Sequence, residues 1–431
     1  MNFDTAIIYV LPLIVVFAIY VKRRKRRETQ DLHRHIESVT AGLNEPTSLH
    51  PAFDPGRCIG SGACASACPE KAIGMIDGSP QLVNGSACIG HGACLKACPT
   101  GAINLVFGTE RRGVDIPQVD PFFETNVPGI FIAGELGGMG LIHKAVEQGK
   151  QAMNTISERK SGADMLDVVI IGAGPAGLAA SLAAKEKRMR FVTLEQESSL
   201  GGTVYHFPRN KIAMTHPMQI PTVGKVKLGE VSKEALLQLW TRVTSQAGLK
   251  VSFRERVDSI QRTGNAFLVK TATQSYQTKS VLLAIGRRGT PRRLDVPGEE
   301  QAKVVYRLID PMQYTGQHVL VVGGGDAAVE AAVSVSERSG TTVSLSYRGN
   351  AFNRIKPGNR DRVQAAQSNG RVRVLLESEV VEIKRDLVML RHGKNSFSLR
   401  NEAVIVCAGG LMPTQFLRDI GVMVETRHGE A

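Results

Sequence analysis

Six of the seven cysteines lie in two stretches that repeat each other at a spacing of 30 residues. The first stretch, CIGSGACASACPEKAI, begins at Cys58 and the second, CIGHGACLKACPTGAI, begins at Cys88; they agree at 11 of 16 positions. Duplication at a fixed spacing predicts a small unit with internal pseudo-symmetry. Cysteines in this even pattern favour metal ligands over the disulfides of a secreted protein.

The repeated spacing matches a known iron–sulfur pattern. Bacterial two-cluster ferredoxins use C-x2-C-x2-C-x3-C-P, and the fourth cysteine of each run ligates the other cluster. Here the second slot holds Ser61 in the first run and His91 in the second, while the remaining slots are intact. Residues 53–107 therefore resemble the two-cluster bacterial ferredoxins, a small α+β fold. The resemblance implies one cluster on Cys58, Cys64 and Cys98 with the slot at Ser61, and another on Cys88, Cys94 and Cys68 with the slot at His91.

The two replaced ligands leave the cluster type open. Relatives that lack the second cysteine commonly hold a [3Fe-4S] cluster in place of [4Fe-4S], which is the expectation for the Ser61 site. Imidazole can bind iron, and in Rieske centres it raises the reduction potential, so His91 is either a ligand or a neighbour of the cluster. Serine ligates as an alkoxide, which requires a larger pKa shift than imidazole does.

The sequence pattern changes after residue 105, where short apolar runs alternate with helical stretches, as in an α/β sheet protein. Two segments, 166–184 (LDVVIIGAGPAGLAASLAA) and 318–332 (HVLVVGGGDAAVEAA), each read as a buried strand, a tight glycine turn and a helix. This context favours dinucleotide binding. The first turn contains Gly172, Gly174, Pro175, Ala176 and Gly177, and Glu195 ends the following strand, where a carboxylate can bind ribose hydroxyls.

The second turn contains Gly323, Gly325, Asp326 and Ala328. The strand after it lacks an acidic residue and presents Arg348, with Arg354 nearby. Arginine at this position suits a 2′-phosphate, so the pattern favours NADPH over NADH. The alternative is that Arg348 is an ordinary exposed strand end.

Two such turns in tandem, with GGTVYHFP (201–208) after the first and VLLAIGRRGTPR (281–292) between them, resemble thioredoxin reductases and their ferredoxin–NADP reductase relatives. The resemblance implies two Rossmann-like domains, FAD at the first turn with Gly202 and Thr203, NADP or NAD at the second, and a homodimer. Members end with a strand and turn of the type T-x-x-x-G-[IV]-[FY]-A-x-G-D. Here that pattern lies upstream, at residues 125–140, with Gly134 and Glu135 in the last two positions. A circular permutation explains the order; the alternative is a chance match.

Thioredoxin reductases also carry a C-x-x-C pair just before their second glycine turn, and this chain has no cysteine there. The remaining thiol, Cys407, sits in the apolar stretch AVIVCAGG and reads as a small core residue. A direct dithiol exchange mechanism therefore lacks its dithiol.

The N-terminus combines an apolar run, Ala6 to Val21, with a basic run, Lys22 to Arg27. We predict a single-pass transmembrane helix at residues 5–21, with the other domains on the cytoplasmic side of the cell membrane by the positive-inside rule. A buried or interfacial helix is the alternative, and in either case the basic run suits anionic lipid. This run supplies six of the charges behind the net +13, and no nucleic-acid-binding motif accompanies it.

The predicted order is a transmembrane helix (5–21), a polybasic segment and linker (22–52), the ferredoxin domain (53–107), a permuted part of the FAD domain (108–160), the FAD domain (165–292), the NAD(P) domain (293–406) and a return to the FAD domain (407–431). Such a chain is expected to be an NAD(P)H oxidoreductase that exchanges electrons with a ferredoxin-like, haem or quinone partner. The rivals are a disulfide reductase for thioredoxin-like or low-molecular-weight substrates, and a redox-sensing or assembly flavoprotein with little turnover.

Overall fold

The structure is a computed structural model of the chain, and it describes residues 3–40, 44–46, 49–110, 113–138, 140–159, 164–287, 289, 291–352 and 355–429. For residues 3–11 and 214 only the backbone is described. The chain divides into two units. Unit 1 contains residues 1–113, 351–358 and 428–431, and unit 2 contains residues 114–350 and 359–427.

Unit 1 combines one long helix with a small domain of short elements. These are α1 (Phe3–Thr40), β1 (His50–Phe53), α2 (Ala63–Ala67), β2 (Ile73–Ile76), β3 (Ser79–Leu82), α3 (Ala93–Ala97) and β4 (Ile103–Val106). Strands β1 and β4 pair antiparallel, as do β2 and β3. One short helix lies within each cysteine repeat, α2 in the first and α3 in the second. This is the pseudo-symmetric α+β arrangement that the duplicated sequence predicts.

The second half of α1 packs on the β2–β3 hairpin. Asp31 Oδ2 accepts a hydrogen bond from the Met75 backbone N–H at 3.0 Å, and His35 Nδ1 lies 3.3 Å from the Leu82 carbonyl oxygen. Gly74 permits this approach, since a Cβ there would lie 2.7 Å from Asp31 Cγ. Residues 22–40 are thus helical and joined to the small domain, which corrects the prediction of a linker over this part of residues 22–52.

Helix α1 includes the predicted membrane segment. Within the described parts of the chain, no helix is long and apolar enough to cross a membrane. The prediction of a transmembrane helix at residues 5–21 is therefore not supported. The physical reason is length, because the apolar run from Ala6 to Val21 is shorter than the about 20 residues that a bilayer core requires, and the helix continues directly into basic residues.

The part of unit 2 that the sequence predicts to bind FAD, called the flavin half, contains β5 (Val114–Pro117), β6 (Ile130–Ile132), α4 (Ile142–Ser157), β7 (Leu166–Ile171), α5 (Pro175–Glu186), β8 (Phe191–Glu195), β9 (Ile212–Met214), β10 (Met218–Ile220), β11 (Gly224–Val226), β12 (Glu230–Ser232), α6 (Lys233–Gln246), β13 (Ser252–Phe253), β14 (Val257–Thr263), β15 (Ala266–Thr271) and β16 (Ser275–Leu283). Its main sheet has the order β13-β8-β7-β16-β15-β14, with β6 also paired to β16.

The segment upstream of the first glycine turn closes this sheet. Strand β6 pairs parallel with β16, in the register Val281 to Ile130, and α4 packs against α5 so closely that a Cβ on Gly149 would lie 2.1 Å from the Ala176 carbonyl oxygen. A permuted flavoprotein domain requires this placement, because its last strand must join the sheet from the other end of the chain.

The part of unit 2 that the sequence predicts to bind the nicotinamide dinucleotide, called the nicotinamide half, contains β17 (Val304–Val305), β18 (His318–Val322), α7 (Asp326–Ser336), β19 (Thr342–Ser346), α8 (Pro357–Ser368), β20 (Val372–Leu375), β21 (Ser378–Ile383), β22 (Leu387–His392), β23 (Asn395–Arg400) and β24 (Ala403–Val406). The chain then continues through α9 (Thr414–Asp419), whose Leu417 packs in the core of the flavin half, to β25 (Val424–Arg427). A parallel sheet has the order β17-β24-β18-β19-β20. Strand β25 returns to the flavin half and pairs antiparallel with β5, so the last strand of the chain lies beside the start of the upstream segment.

Candidate functional site

The first glycine turn joins β7 to α5 and is shaped by contacts that exclude side chains. A Cβ on Gly177 would lie 1.8 Å from the Gly172 carbonyl oxygen, and a Cβ on Gly172 would lie 2.5 Å from that of Ala284. Gly174 begins α5 without a side-chain cap, and Pro175 occupies its first turn. The helix N-terminus therefore has backbone N–H groups available for a phosphate, which is the cradle that a dinucleotide needs.

Glu195 is buried at the end of β8, with 5% of its surface exposed. Its Oε2 accepts a hydrogen bond from Ala173 N–H at 2.7 Å, and its Oε1 accepts one from Glu197 N–H at 3.0 Å. These bonds hold the carboxylate beside the glycine turn. The structure thus brings Glu195 together with Gly172–Gly177, in the arrangement expected for a ribose-binding acid.

A second loop closes over the same turn. A Cβ on Gly202 would lie 3.0 Å from the Gly174 Cα atom, so the 3-10 helix formed by Gly202–Val204 lies directly against the phosphate cradle. Thr203 belongs to this helix, and its hydroxyl lies 3.9 Å from the Cβ position of Gly286. The sequence pair Gly202 and Thr203 is therefore placed at the flavin side of the turn.

Gly134 and Glu135 lie after β6, next to α5. A Cβ on Gly134 would lie 3.0 Å from Ala176 Cβ, and its N–H donates to Gln148 Oε1 at 2.8 Å. Glu135 starts a 3-10 helix there. The upstream segment thus delivers its acid to the same edge of the sheet as the first glycine turn, and together these residues fit FAD.

Sequence reasoning missed Arg287, which follows β16. Its Nη2 donates to the Asp115 carbonyl oxygen at 2.8 Å. Burial lowers the pKa of Arg287 from its usual value, and the nearby Glu135 and Asp115 carboxylates oppose that shift. Arg287 stands in the stretch VLLAIGRRGTPR that carried the resemblance, but its neighbour Glu135 is distant in sequence, so no local signal connected them.

The second glycine turn joins β18 to α7 and leaves open space at its centre. A Cβ on Gly323 would lie 2.4 Å from the Cys407 carbonyl oxygen and 3.0 Å from Ala328 Cβ, whereas a Cβ on Gly325 would meet no atom within 4 Å. Asp326 Oδ1 accepts a hydrogen bond from Asn359 Nδ2 at 2.7 Å, which fixes the first residue of α7. The turn fits a second dinucleotide.

The polar residues at the end of the strand after this turn differ in burial and in their contacts. Ser346 is fully buried and its Oγ lies 2.7 Å from Ser378 Oγ, so it is a structural residue. Tyr347 packs its ring on Gly324, where a Cβ would lie 2.2 Å from it. Arg348 is exposed just beyond the strand, which leaves its guanidinium accessible to a ligand. Arg354 lies outside the described residues.

Ion pairs join the two dinucleotide halves beside the second turn. Lys211 Nζ lies 2.5 Å from Glu330 Oε2 on α7, and Arg209 Nη1 lies 3.3 Å from Asp310 Oδ2. His206 contacts both Arg307 and Glu197. Burial and the charge of Arg307 lower the pKa of His206, while Glu197 opposes that shift. The loop at 206–211 therefore helps to set the orientation of one half on the other.

The six cysteines of the repeats surround two cavities in unit 1. The first cavity is lined by Cys58, Cys64 and Cys98 together with Ser61. The second is lined by Cys68, Cys88 and Cys94 together with His91. Each cavity takes two cysteines from one repeat and one from the other, which is the exchange that the ferredoxin resemblance implies.

Three cysteines line each cavity, which is an arrangement that suits an iron–sulfur cluster. Within the described part of the chain, no three His, Cys, Asp or Glu side chains are close enough to hold one metal ion. Thiolates on an iron–sulfur cluster bind different irons, so they stand around a volume and not around a point. Burial raises the pKa of the Cys88 thiol to about 11, and hydrogen bonds from the backbone around Thr100 lower the pKa of Cys98.

Ser61 and His91 make equivalent local contacts. Ser61 Oγ accepts a hydrogen bond from Ala63 N–H at 3.4 Å, and His91 Nδ1 accepts one from Ala93 N–H at 3.1 Å. Both side chains thus bond the first residue of the short helix that follows. With Nδ1 as the acceptor, a neutral His91 ring carries its proton on Nε2. Ligation through Nε2 therefore requires a proton shift or a turn of the ring.

The chain is similar to several known reductases. The chain is 28% identical to the bacilliredoxin reductase Bdr of Bacillus subtilis (strain 168) over 273 residues, which span 61% of this chain and 82% of that protein. It is 31% identical to the ferredoxin–NADP reductase of Ignicoccus hospitalis over 189 residues, which span 44% of this chain and 58% of that protein. Among solved structures, it is similar to the bacillithiol disulfide reductase Bdr from Bacillus cereus, with a TM-score of 0.54 and 26% identity over 59% of this chain and 81% of that one.

Two family assignments follow the same division as the fold. Residues 50–99 match the 4Fe-4S dicluster domain, and residues 169–430 match the pyridine nucleotide-disulphide oxidoreductases. The second match covers more than half of the chain, from the first glycine turn to the C-terminus. The chain therefore belongs to the pyridine nucleotide-disulphide oxidoreductase family, as an FAD-dependent oxidoreductase that also carries a ferredoxin-type 4Fe-4S domain.

Proposed function

We propose that this protein is an NAD(P)H-dependent electron-transfer enzyme in which two iron–sulfur clusters, and not a dithiol, connect the flavin to a one-electron carrier. Two observations together give this proposal its strongest support. The stretch before the second glycine turn, 306–317, contains no cysteine, while six thiols surround two cavities in unit 1. FAD, when bound, supplies the conversion between two-electron hydride transfer and one-electron transfer.

The residues of the chain would bind and orient the groups. Gly172–Gly177 with Glu195 and Glu135 would hold FAD, and Gly323–Ala328 would hold the nicotinamide dinucleotide. Cys58, Cys64 and Cys98 would hold one cluster and Cys68, Cys88 and Cys94 the other. The ferredoxin–NADP reductase relative favours NADPH and a ferredoxin-like partner, while haem proteins and quinones have the same one-electron chemistry. A homodimer stays a prediction of the family resemblance.

A second candidate function is disulfide reduction, because the similar Bdr proteins are named for it. Cys407 supports this candidate, since it is partly exposed and its carbonyl oxygen contacts the turn at Gly323. One assay with NADPH as the electron donor distinguishes the two functions. Rapid reduction of cytochrome c, with no turnover of bacillithiol disulfide, supports electron transfer. Disulfide turnover that is lost in Cys407→Ser supports the second candidate and contradicts the first.

Arg348→Ala should weaken the binding of NADPH much more than the binding of NADH. Loss of one charged hydrogen-bonding partner for the 2′-phosphate is worth about 1.4 kcal/mol, which is a tenfold rise in KM for NADPH. The KM for NADH should stay almost unchanged, as should both values in the control variant Arg371→Ala, an exposed arginine at the opposite end of the same sheet. No change for either nucleotide would show that Arg348 is an ordinary strand end, and equal rises for both would show that it does not select the 2′-phosphate.

His91→Cys should change the EPR spectrum of the reconstituted protein, because it restores the missing thiolate at the second cavity. Ser61→Cys should do the same for the first cavity and should increase bound iron if that site holds three irons. The control is Ser66→Cys, which adds a thiol at an exposed position of α2. An unchanged spectrum in His91→Cys would exclude iron at that position.

We also propose that α1 attaches the protein to an anionic lipid surface, on the cytoplasmic side as the basic run suggests. Apolar side chains are exposed around the helix, including Leu13 at 68%, Phe17 at 67% and Tyr20 at 58%, and Lys22–Arg27 follow at once. Partial insertion of this apolar stretch buries it without a full crossing. Flotation with phosphatidylglycerol vesicles at low and high salt tests the attachment, and failure to float at low salt would contradict it.

A further inference from the structure

The two cluster loops are similar in sequence but differ in exposure. In the loop from Cys58 to Cys64, Ile59 is 69% exposed and Ser61 is also exposed. In the loop from Cys88 to Cys94, Gly90 and Gly92 are buried. The chain before β1 covers this second loop, since a Cβ on Gly90 would lie 2.6 Å from the Leu49 carbonyl oxygen. The loop that carries Ser61 is therefore the more exposed of the two.

The exposed loop lies next to the basic run of α1, and the tip of the β2–β3 hairpin connects them. A Cβ on Gly78, at the tip, would lie 4.0 Å from Arg24 Nη2. The Gly78 carbonyl oxygen in turn lies 2.7 Å from the Cβ position of Gly60. Asp31 and His35 hold the rest of the hairpin, so the direction of α1 relative to the loop is fixed.

The apolar part of α1 ends close to Arg24, the residue beside the hairpin tip. Val21 precedes Arg24 by three residues, which corresponds to about 4.5 Å along a helix. Insertion of α1 along its axis, with Leu13, Phe17 and Tyr20 in the apolar layer, would therefore place the hairpin tip and the Ser61 loop at the depth of the lipid headgroups.

We propose that the Ser61 loop forms a lipid-contacting face together with the basic run, and that Ile59 rests in the headgroup region of an anionic bilayer. This proposal rests on the lipid attachment of α1 proposed above. Charge complementarity supports an anionic surface, because Lys22–Arg27 and Arg57 outnumber the carboxylates of this face, Glu28, Asp54 and Asp77. Of these, Glu28 pairs with Arg24 and Asp54 pairs with Arg57. The more exposed of the two cluster loops would then face the membrane.

Tryptophan fluorescence in the full-length reconstituted protein tests this orientation. The native Trp240 is fully buried in unit 2, so its emission is a constant background. Ile59→Trp places an indole on the proposed face. Ile36→Trp is the matched control, because Ile36 is 53% exposed on α1. It lies 15 residues beyond Val21, which is about 22 Å further along the helix from the apolar run. Each variant is compared in plain and brominated phosphatidylglycerol vesicles, and the ratio cancels any quenching by iron.

After the emission of Trp240 in the parent protein is subtracted, the expected result is a fall of roughly twofold in the emission ratio of Ile59→Trp, as for an indole at the headgroup boundary, and no fall for Ile36→Trp. Flotation with an unquenched Ile59→Trp would retain the lipid attachment but overturn the proposed face. No flotation of either variant or of the parent protein would overturn both.

Discussion

Gly177→Ala should leave the protein with little bound FAD. The new methyl group would lie 1.8 Å from the Gly172 carbonyl oxygen, a distance that the backbone must relieve by moving α5 away from the turn. Overpacking of this kind costs about 2 kcal/mol, and if that cost falls on the phosphate cradle it weakens FAD binding by roughly thirtyfold. The flavin absorbance per protein after desalting measures the effect.

Gly229→Ala is the control for this substitution. Gly229 lies in the same half of unit 2, and a Cβ there would meet no atom within 4 Å. Its flavin content should equal that of the parent protein. Full flavin content in Gly177→Ala, with an unchanged melting temperature, would mean that the turn is not the FAD cradle.

Cys64→Ala and Cys98→Ala should remove the same cluster, although the two cysteines belong to different repeats. Cys68→Ala and Cys94→Ala should remove the other. The reason is the grouping of the thiols, since Cys64 and Cys98 line one cavity and Cys68 and Cys94 line the second. Each variant should lose about half of the iron, because a cluster with only two thiolates left is not retained. EPR spectra at low temperature identify which cluster remains.

Cys407→Ala is the matched control, because this thiol lies in unit 2 and lines neither cavity. It should retain all iron and both signals. A spectrum of Cys98→Ala that matches Cys94→Ala, and not Cys64→Ala, would contradict the exchange of ligands between the repeats.

The sequence was sufficient for the parts of this protein that depend on local backbone chemistry. A glycine turn between a strand and a helix has few alternatives, so Gly172–Gly177 and Gly323–Ala328 could be placed before the fold was known. The resemblance to two-cluster ferredoxins likewise implied which thiols line each cavity. The upstream strand Ile130–Ile132 could be found because its motif is specific, even though it joins the sheet from an unusual position in the chain.

Features that depend on packing between distant segments could not be predicted. Residues 28–40 read as a polar linker, but the contacts of Asp31 and His35 with the β2–β3 hairpin make them part of unit 1. The same applies to Arg287, whose carboxylate neighbours are far away in sequence. Ser346, one of the polar residues after the second turn, proved to be a buried partner of Ser378. Side-chain direction at a strand end is set by the next layer, which the local pattern does not contain.

The unequal exposure of the two cluster loops also came only from the structure. Their sequences agree at 11 of 16 positions, and nothing in them distinguishes a covered loop from an open one. The difference arises from the segment before β1, where Leu49 packs on Gly90 and Asn44 packs on Gly85. A duplicated module can thus acquire two unlike sites through its flanking chain.

The central claim is that electrons pass between the flavin and the iron–sulfur clusters of the same protein. Anaerobic titration of the reconstituted protein with NADPH, followed by absorbance and EPR in the same samples, tests it most directly. The account predicts that the flavin absorbance bleaches and that the cluster EPR spectrum changes during the same titration. Bleaching of the flavin with a cluster spectrum that never changes would contradict it.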